Sequence, residues 1–411
     1  MTLSVVHFST ADNTGGSGRS AYRIHTGLRR LGHQSHMLVG TKDTSDKDIE
    51  TTHGGGIGRI MDRLAEETTR RLGLQYQYYP SSARILRHPW VTGATIIQLY
   101  NSHGGYFSHR LLPALSRIAP IVWRLSDMWP ITGHCAYAGS CENWRDGCSP
   151  CPDLASYPPL PQDFAGFLWR QKKRLYARSA PTIVAPSSWI EGIAKQSPLF
   201  AGCAVHRIPN GLDLSIFRPM DRQAACTILN IDPSKPTLLF SAHVVDDNPR
   251  KGSGQLIEAL NRLGPLDNVQ ILLAGIGGEN WHGKVPQTVI PLGFLGDDRL
   301  IAAANCAADV VLVPSAVENL PNSIIEAMAC GRPVVAYDAG GIRDAVVPGD
   351  TGLLVPVGNT ELLANAIQTI IETVEDRTRM GMNALTAAQQ NYDAEVQAKR
   401  FESLYQSLAR S

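Results

Sequence analysis

The sequence predicts an α/β protein made of two parallel-sheet units, and three observations predict it. Apolar runs of strand length alternate with segments of helical period through the first half of the chain. The same alternation resumes in the second half, and a Pro-Asn-Gly stretch, "HRIPNGLDLSIFRP" at 206–219, separates the two series. With 411 residues there is room for two cores of ordinary domain size.

In the first half "LSVVHFS" reads as a buried strand, followed by the Gly-rich loop "TGGSGRSA". The helix "RSAYRIHTGLRRLG" then places Ala21, Ile24, Leu28 and Leu31 at helical spacing, with Gly32 as its stop. "SHMLVG", "TIIQLYN", "PIVWRLSD" and "PTIVAPS" continue the strand series, with helical patterns such as "HRLLPALSRIA" between some of them. The second half offers strands "PTLLFSAHVV", "NVQILLAGIG", "ADVVLVPS" and "RPVVAYDAG" and helices "GQLIEALNRLG", "DDRLIAAANCA" and "NSIIEAMACG". From about Thr360 the chain reads helical to its end. The predicted domains are 1–205 and 206–391, with a helix at 392–411 packing back on the first. Open α/β sheets bind ligands beyond the carboxyl ends of their strands, so two facing sheets predict a site in the cleft between domains.

Two stretches break the rhythm. Residues 59–90 are rich in Arg and Tyr and lack a clear strand; residues 128–163 are rich in Pro, Cys and aromatics and read as a long insertion. Such loops commonly carry acceptor or partner surface. The net charge of +1 excludes a dedicated nucleic-acid binder, which would carry a strong basic excess. Neither a basic lead nor a long apolar run marks a signal peptide or a membrane span, so the expected home is the cytoplasm, including the inner face of a membrane.

In the Gly-rich loop Gly16, Gly18 and Ala21 align with a dinucleotide-binding turn. That reading wants an acid at the tip of the second strand, where "VGTKD" places Gly40 and Lys42, with Asp43 beyond. Close approach of a phosphate or sugar to bare backbone and a purely structural tight turn stand beside it.

"VENLPNSIIEAMACGRPVVAYDAGG", at 317–341, sets Glu318 and Glu326 on either side of a helix start, with seven residues between them. Bare N–H groups at that start already favour an anion, so acids nearby suggest a ligand with both hydroxyls and phosphates. Cys135, Cys141, Cys148 and Cys151 cluster within the insertion beside His134. Structural zinc on these four is the reading carried forward, with disulfides and free thiols as alternatives. Cys203, Cys226, Cys306 and Cys330 are isolated and read as buried thiols.

The Glu318 to Glu326 spacing, continued by "EAMACGRPVVA" and "GGIRDAV", closely resembles the retaining glycosyltransferases of GT-B fold in family 4, the glycosyl transferases group 1. "IPNGLDLSIFRP", "RKG" at 250–252, "PLGFLGDDRL" and "ADVVLVPS" agree in order, so the resemblance covers nearly the whole chain. "DMWPITGHCAY" and the cysteines after it resemble a subgroup that builds exopolysaccharide, capsule or O-antigen, including colanic-acid-type transferases.

The resemblance implies two Rossmann-like domains facing across a cleft, the first binding acceptor and the second a UDP- or GDP-sugar. By position Glu318 would meet a sugar hydroxyl and Glu326 the ribose hydroxyls. Asn322 or Ser323 would cap the helix, with N–H groups from Leu320 to Ser323 on the diphosphate. Arg250 and Lys251 would neutralise the leaving nucleotide without a catalytic metal, and Gly275, Gly277 and "PLGF" would hold the base through backbone. In the first half Asp127 ends its strand, and His103 is a second candidate for the acceptor. Ser126 stands where many family members carry a histidine, and His243 where many carry an arginine. The implied acceptor is a saccharide or lipid-linked saccharide in exopolysaccharide, capsule or lipopolysaccharide synthesis. The basic runs at 59–90 and 169–178 face either anionic headgroups or solvent. A nucleotide-sugar epimerase, a dehydrogenase and a non-catalytic sugar-nucleotide binder are the rival readings.

Overall fold

The computed structural model describes residues 2–263 and 268–410. The chain divides into two compact units, Met1–Pro209 with Glu395–Ser411, and Asn210–Ala394.

The first unit is a parallel sheet of β1 (Ser4–Ala11), β2 (Gln34–Thr41), β3 (Ile49–Thr51), β4 (Ile96–Leu99), β5 (Ile121–Arg124), β6 (Thr182–Ala185) and β7 (Val205–Arg207). The spatial order is β3-β2-β1-β4-β5-β6-β7, so the winding reverses between β1 and β4. Strands β4, β5 and β6 are buried at every position, which is why they read as unbroken apolar runs: both faces are covered by helices. The closing helix Ala394–Ala409 belongs to this unit beyond its first residue. Its Phe401 and Tyr405 join the core of Val5, Ile24 and Met37, and Tyr405 donates to Gln98 Oε1 at 2.7 Å.

The second unit repeats the plan with β8 (Thr237–Val244), β9 (Gln270–Ile276), β10 (Thr288–Gly293), β11 (Val310–Val313), β12 (Val334–Tyr337) and β13 (Gly352–Val355). Here the order is β10-β9-β8-β11-β12-β13, and the winding reverses between β8 and β11. The helices Ser253–Arg262, Asp298–Ala307 and Asn322–Ala329 fall where the periodicity places them.

Several expectations need correction. "HRLLPALSRIA" forms only a short 3-10 turn, His109–Leu111, and one helical turn, Leu112–Leu115. Gly16 and Gly18 lie not in a loop but in the first helix, Gly15–Arg30, where a Cβ on Gly18 would stand 3.1 Å from the Ala11 carbonyl. The glycine serves close helix-to-strand packing. The stretch 128–163, which reads as a loop-like insertion, contributes to the core: Ile131, Trp144, Cys148 and Leu160 pack into the same cluster as β4, β5 and β6.

Candidate functional site

In the second unit the site residues follow the carboxyl ends of β8, β9 and β11, around the reversal point. The loop 248–253 is clipped to the one after β11, because Ala316 N donates to the Arg250 carbonyl at 2.9 Å. Gly252, at φ +76°, passes so close to Pro314 that a Cβ would stand 1.8 Å from its carbonyl oxygen. Asn248 Oδ1 accepts from Lys251 N at 3.2 Å, which completes the turn.

That clip aims both cations at one acid. Arg250 Nη1 lies 3.1 Å and Lys251 Nζ 2.5 Å from Glu318 Oε1, and the glutamate is buried. Burial alone would raise its pKa, but the Lys251 and Arg250 charges and hydrogen bonds from Lys251 and Ser315 outweigh it, so the carboxyl sits below its ordinary value. The Glu318 carbonyl accepts from Gly341 N at 3.0 Å, and a Cβ on Gly340 (φ +59°) would stand 2.0 Å from it.

The helix Asn322–Ala329 corrects one expectation. Neither Asn322 nor Ser323 is its N-cap: Pro321 occupies the cap in extended conformation and makes no side-chain cap hydrogen bond, and no acid lies in the first turn. The Asn322 side chain is engaged elsewhere, since Asn210 Nδ2 donates to Asn322 Oδ1 at 3.0 Å and to the Leu320 carbonyl at 2.9 Å. The helix start therefore carries its positive dipole end with a proline at the cap and no acidic residue in its first turn. Glu326 lies in the second turn and is buried.

Gly275 and Gly277 both need positive φ, +152° and +88°; a Cβ on Gly275 would stand 2.0 Å from the Ala242 carbonyl. They press the end of β9 onto the last residues of β8 and the turn that follows it. There the His243 ring meets Phe294 of the "PLGF" stretch edge-on at 5.2 Å.

In the first unit His103 follows β4 and Asp127 follows the neighbouring β5. His103 Nε2 and Asp127 Oδ2 are 2.9 Å apart, and Asp127 Oδ1 accepts from Trp129 N at 2.9 Å. Both side chains are buried. Tyr76, Trp129 and Tyr157 ring the imidazole with centroids at 6.4, 5.7 and 5.8 Å. His103 Nδ1 has no hydrogen-bond partner among the described residues. Ser126 does not replace a histidine by leaving space. Its hydroxyl lies 2.9 Å from Ser17 Oγ, and Arg124 donates to it at 3.3 Å, tying the first helix to the end of β5.

The zinc expectation concerns the four cysteines of the insertion. Among the described residues no three His, Cys, Asp or Glu side chains gather as a metal site, and all eight cysteines are free thiols. Cys148 Sγ accepts from Gly133 N at 3.1 Å, while Cys151 Sγ meets His134 Nε2 at 3.3 Å. Burial pushes the Cys148 thiol up to about 12, an environment that disfavours a thiolate. The insertion is fastened by packing and by Lys172. This buried lysine donates to the Trp129 and Thr132 carbonyls at 2.6 and 2.9 Å and sits 3.3 Å from the Trp129 ring centroid.

Three residues that fasten these loops gave no usable signal in the sequence. Asn210 was legible only as part of a turn, and Lys172 only as one basic residue in "QKKR". Asp12, which accepts from the backbone of Asn13, Asp43 and Thr44, looked like an ordinary loop acid.

Two reversed parallel sheets with their polar loops at the strand ends define the GT-B architecture. Residues 14–216 match Glycosyltransferase Family 4 and residues 235–373 match Glycosyl transferases group 1. A GDP-mannose-dependent alpha-mannosyltransferase of Mycolicibacterium smegmatis is 31% identical over 93% of this chain and 92% of its own. A protein of Escherichia coli (strain K12) described as a colanic acid biosynthesis glycosyl transferase, WcaC, is 27% identical over 55% of this chain. That match spans about half of the relative's length, 54%. The structure of Anabaena HepE in complex with UDP-glucose superposes with a TM-score of 0.69 at 20% identity, over 98% of this chain and 100% of that one. The chain belongs to the group 1 glycosyltransferases of family 4.

Proposed function

We infer that this protein is a retaining glycosyltransferase that moves a sugar from a nucleotide-sugar donor to a saccharide or lipid-linked saccharide. The observation that carries this reading is the convergence of Arg250 and Lys251 on Glu318, four residues before the start of the helix Asn322–Ala329 at the sheet's reversal point. A departing nucleoside diphosphate is a spread-out anion. Two cations in a fixed frame and a helix dipole stabilise it most as its charge develops.

In this mechanism Glu318 holds the cations in place until the diphosphate competes for them, and its remaining oxygen faces a donor hydroxyl. Glu326 takes the ribose hydroxyls, and the glycine-pinched loop after β9 packs against the base. The first unit binds the acceptor, with the His103 and Asp127 pair orienting its hydroxyl. The acceptor attacks from the face the nucleotide leaves, and a leaving phosphate oxygen receives its proton. Likeness to the E. coli protein named for colanic acid synthesis and to the mannosyltransferase supports a cell-surface glycan product and a GDP- or UDP-linked donor.

The test is a panel of UDP- and GDP-sugars with and without saccharide acceptors, read by released nucleoside diphosphate and by product anomeric configuration. Acceptor-stimulated release with retained configuration is expected. Interconversion of donors without acceptor would establish an epimerase instead, and binding with no turnover a non-catalytic protein.

A further inference from the structure

The helix Gly56–Arg71 is inside out. A surface helix ordinarily turns its apolar stripe to the core and its charges to water. Here Ile57, Ile60, Met61 and Leu64, at i, i+3, i+4 and i+7, are 78, 60, 50 and 66% exposed, and Leu72 just past the end is 56% exposed. The helix's buried residue is an acid, Asp62, whose carboxylate accepts from Ser81 N at 3.0 Å and Ser81 Oγ at 2.5 Å. The polar side therefore anchors the helix, and the greasy side is offered outward.

Charge accompanies the stripe on one flank. Arg59, Arg63 and Arg70 follow one another at helical spacing beside Ile60 and Leu64. Arg70 and Arg71 are hydrogen-bonded to Glu67, whereas Arg59 and Arg63 are exposed and have no ion pair among the described residues. Four exposed aliphatic side chains with unpaired guanidiniums beside them match one surface best: hydrocarbon under anionic headgroups. No helix among the described residues is long and apolar enough to cross a membrane.

We propose that the helix Gly56–Arg71 docks flat on an anionic lipid surface, its Ile57, Ile60, Met61 and Leu64 entering the acyl boundary while Arg59 and Arg63 meet phosphate headgroups. The docking brings the first unit to a membrane, where a lipid-linked acceptor would be found. It deepens the acceptor reading and rests on it for purpose alone, because membrane binding is measured without any donor and the two can fail separately.

The experiment is sedimentation of the full chain with phosphatidylcholine vesicles and with phosphatidylcholine–phosphatidylglycerol vesicles, at low and high salt. Binding is expected to favour the anionic vesicles and to weaken with salt. Ile60→Asp with Leu64→Asp should lower partitioning at least about tenfold, and Arg59→Gln with Arg63→Gln on the order of tenfold. All four positions are exposed, so the melting temperature and donor hydrolysis in solution should not change. Absence of binding to anionic vesicles, or binding that both double variants retain, would overturn the proposal. So would light scattering showing that the stripe instead pairs two copies of the chain, with self-association abolished by Ile60→Asp and Leu64→Asp while vesicle binding is absent.

Discussion

Lys251 Nζ lies 2.5 Å from Glu318 Oε1, a contact between residues 67 positions apart in the chain. Arg250 reaches the same oxygen, so one buried carboxylate fixes two cations. Glu318→Gln keeps the shape and removes the charge. Breaking a buried pair by deleting one partner costs about 3–5 kcal/mol, but Arg250 is 42% and Lys251 19% exposed, so solvent reduces the loss to about 1–3 kcal/mol. A lower denaturation midpoint at unchanged m should be measured, together with transfer slowed roughly tenfold or more. An unaltered midpoint would show that the pair holds nothing.

The same pair sets an acid limit. Glu318 is held below its ordinary carboxyl pKa in the folded state, so between the folded and unfolded values the unfolded chain binds the extra proton. Its contribution is complete above the ordinary glutamate value, about 4.3, and is lost as pH falls through the lower folded value. The stability gap between wild type and Glu318→Gln should therefore be flat near neutrality and close below about pH 4. A gap that persists into strong acid would place the stabilisation in packing rather than charge.

Much of the fold was legible because buried parallel strands are short unbroken apolar runs: "TIIQLYN" and "PIVWRLSD" mark β4 and β5 plainly. The edge strands of both sheets, β3, β7, β10 and β13, carry no such buried run, since a strand paired on one side need not be apolar. At the site the residue types were legible and their pairing was not. Glu318 could be read as near a donor, but its engagement by Arg250 and Lys251 depends on a glycine that lets two loops touch, a tertiary fact. Likewise the packing of Cys148 and Trp144 with Trp123 of β5 and with Leu168 and Trp169 of the helix Ala165–Ser179 could not be seen in composition.

Glu326→Ala separates donor from acceptor. If its carboxylate takes ribose hydroxyls, losing a charged hydrogen-bond partner costs roughly 1.5–3 kcal/mol, on the order of tenfold to a hundredfold in Kd for the nucleotide. Calorimetry with UDP and GDP should show this. Nucleotide affinity equal to wild type would remove Glu326 from the site.

Asp127→Asn probes the other unit. Asp127 bonds His103 through one oxygen and Trp129 N through the other, and an amide keeps one acceptor but loses the charge facing the imidazole. Acceptor KM should rise or kcat fall by about tenfold or more, with nucleotide Kd within about twofold of wild type. Equal loss of nucleotide affinity would mean a structural role for the pair.

Lys172 yields the last prediction, because its charge is held where water is absent. Burial lowers its pKa from 10.5 to about 7, against the opposing pull of Cys148, Cys135 and Asp127. Between these two values the unfolded chain carries the proton and the folded chain does not, so stability contributed through Lys172 rises with pH from about 7 to 10. Below that window both states are protonated and the full burial cost applies. Lys172→Met keeps the aliphatic length and abolishes the titration, while leaving the Trp129 and Thr132 carbonyls without their donor. Urea midpoints of the two proteins should diverge as pH rises, by up to about 1.4 kcal/mol for each unit of the shift. Parallel curves across that range would mean that Lys172 stays protonated in the fold. The segment after Asp127 would then be fastened by a full ammonium charge against the Trp129 ring rather than by a neutral amine.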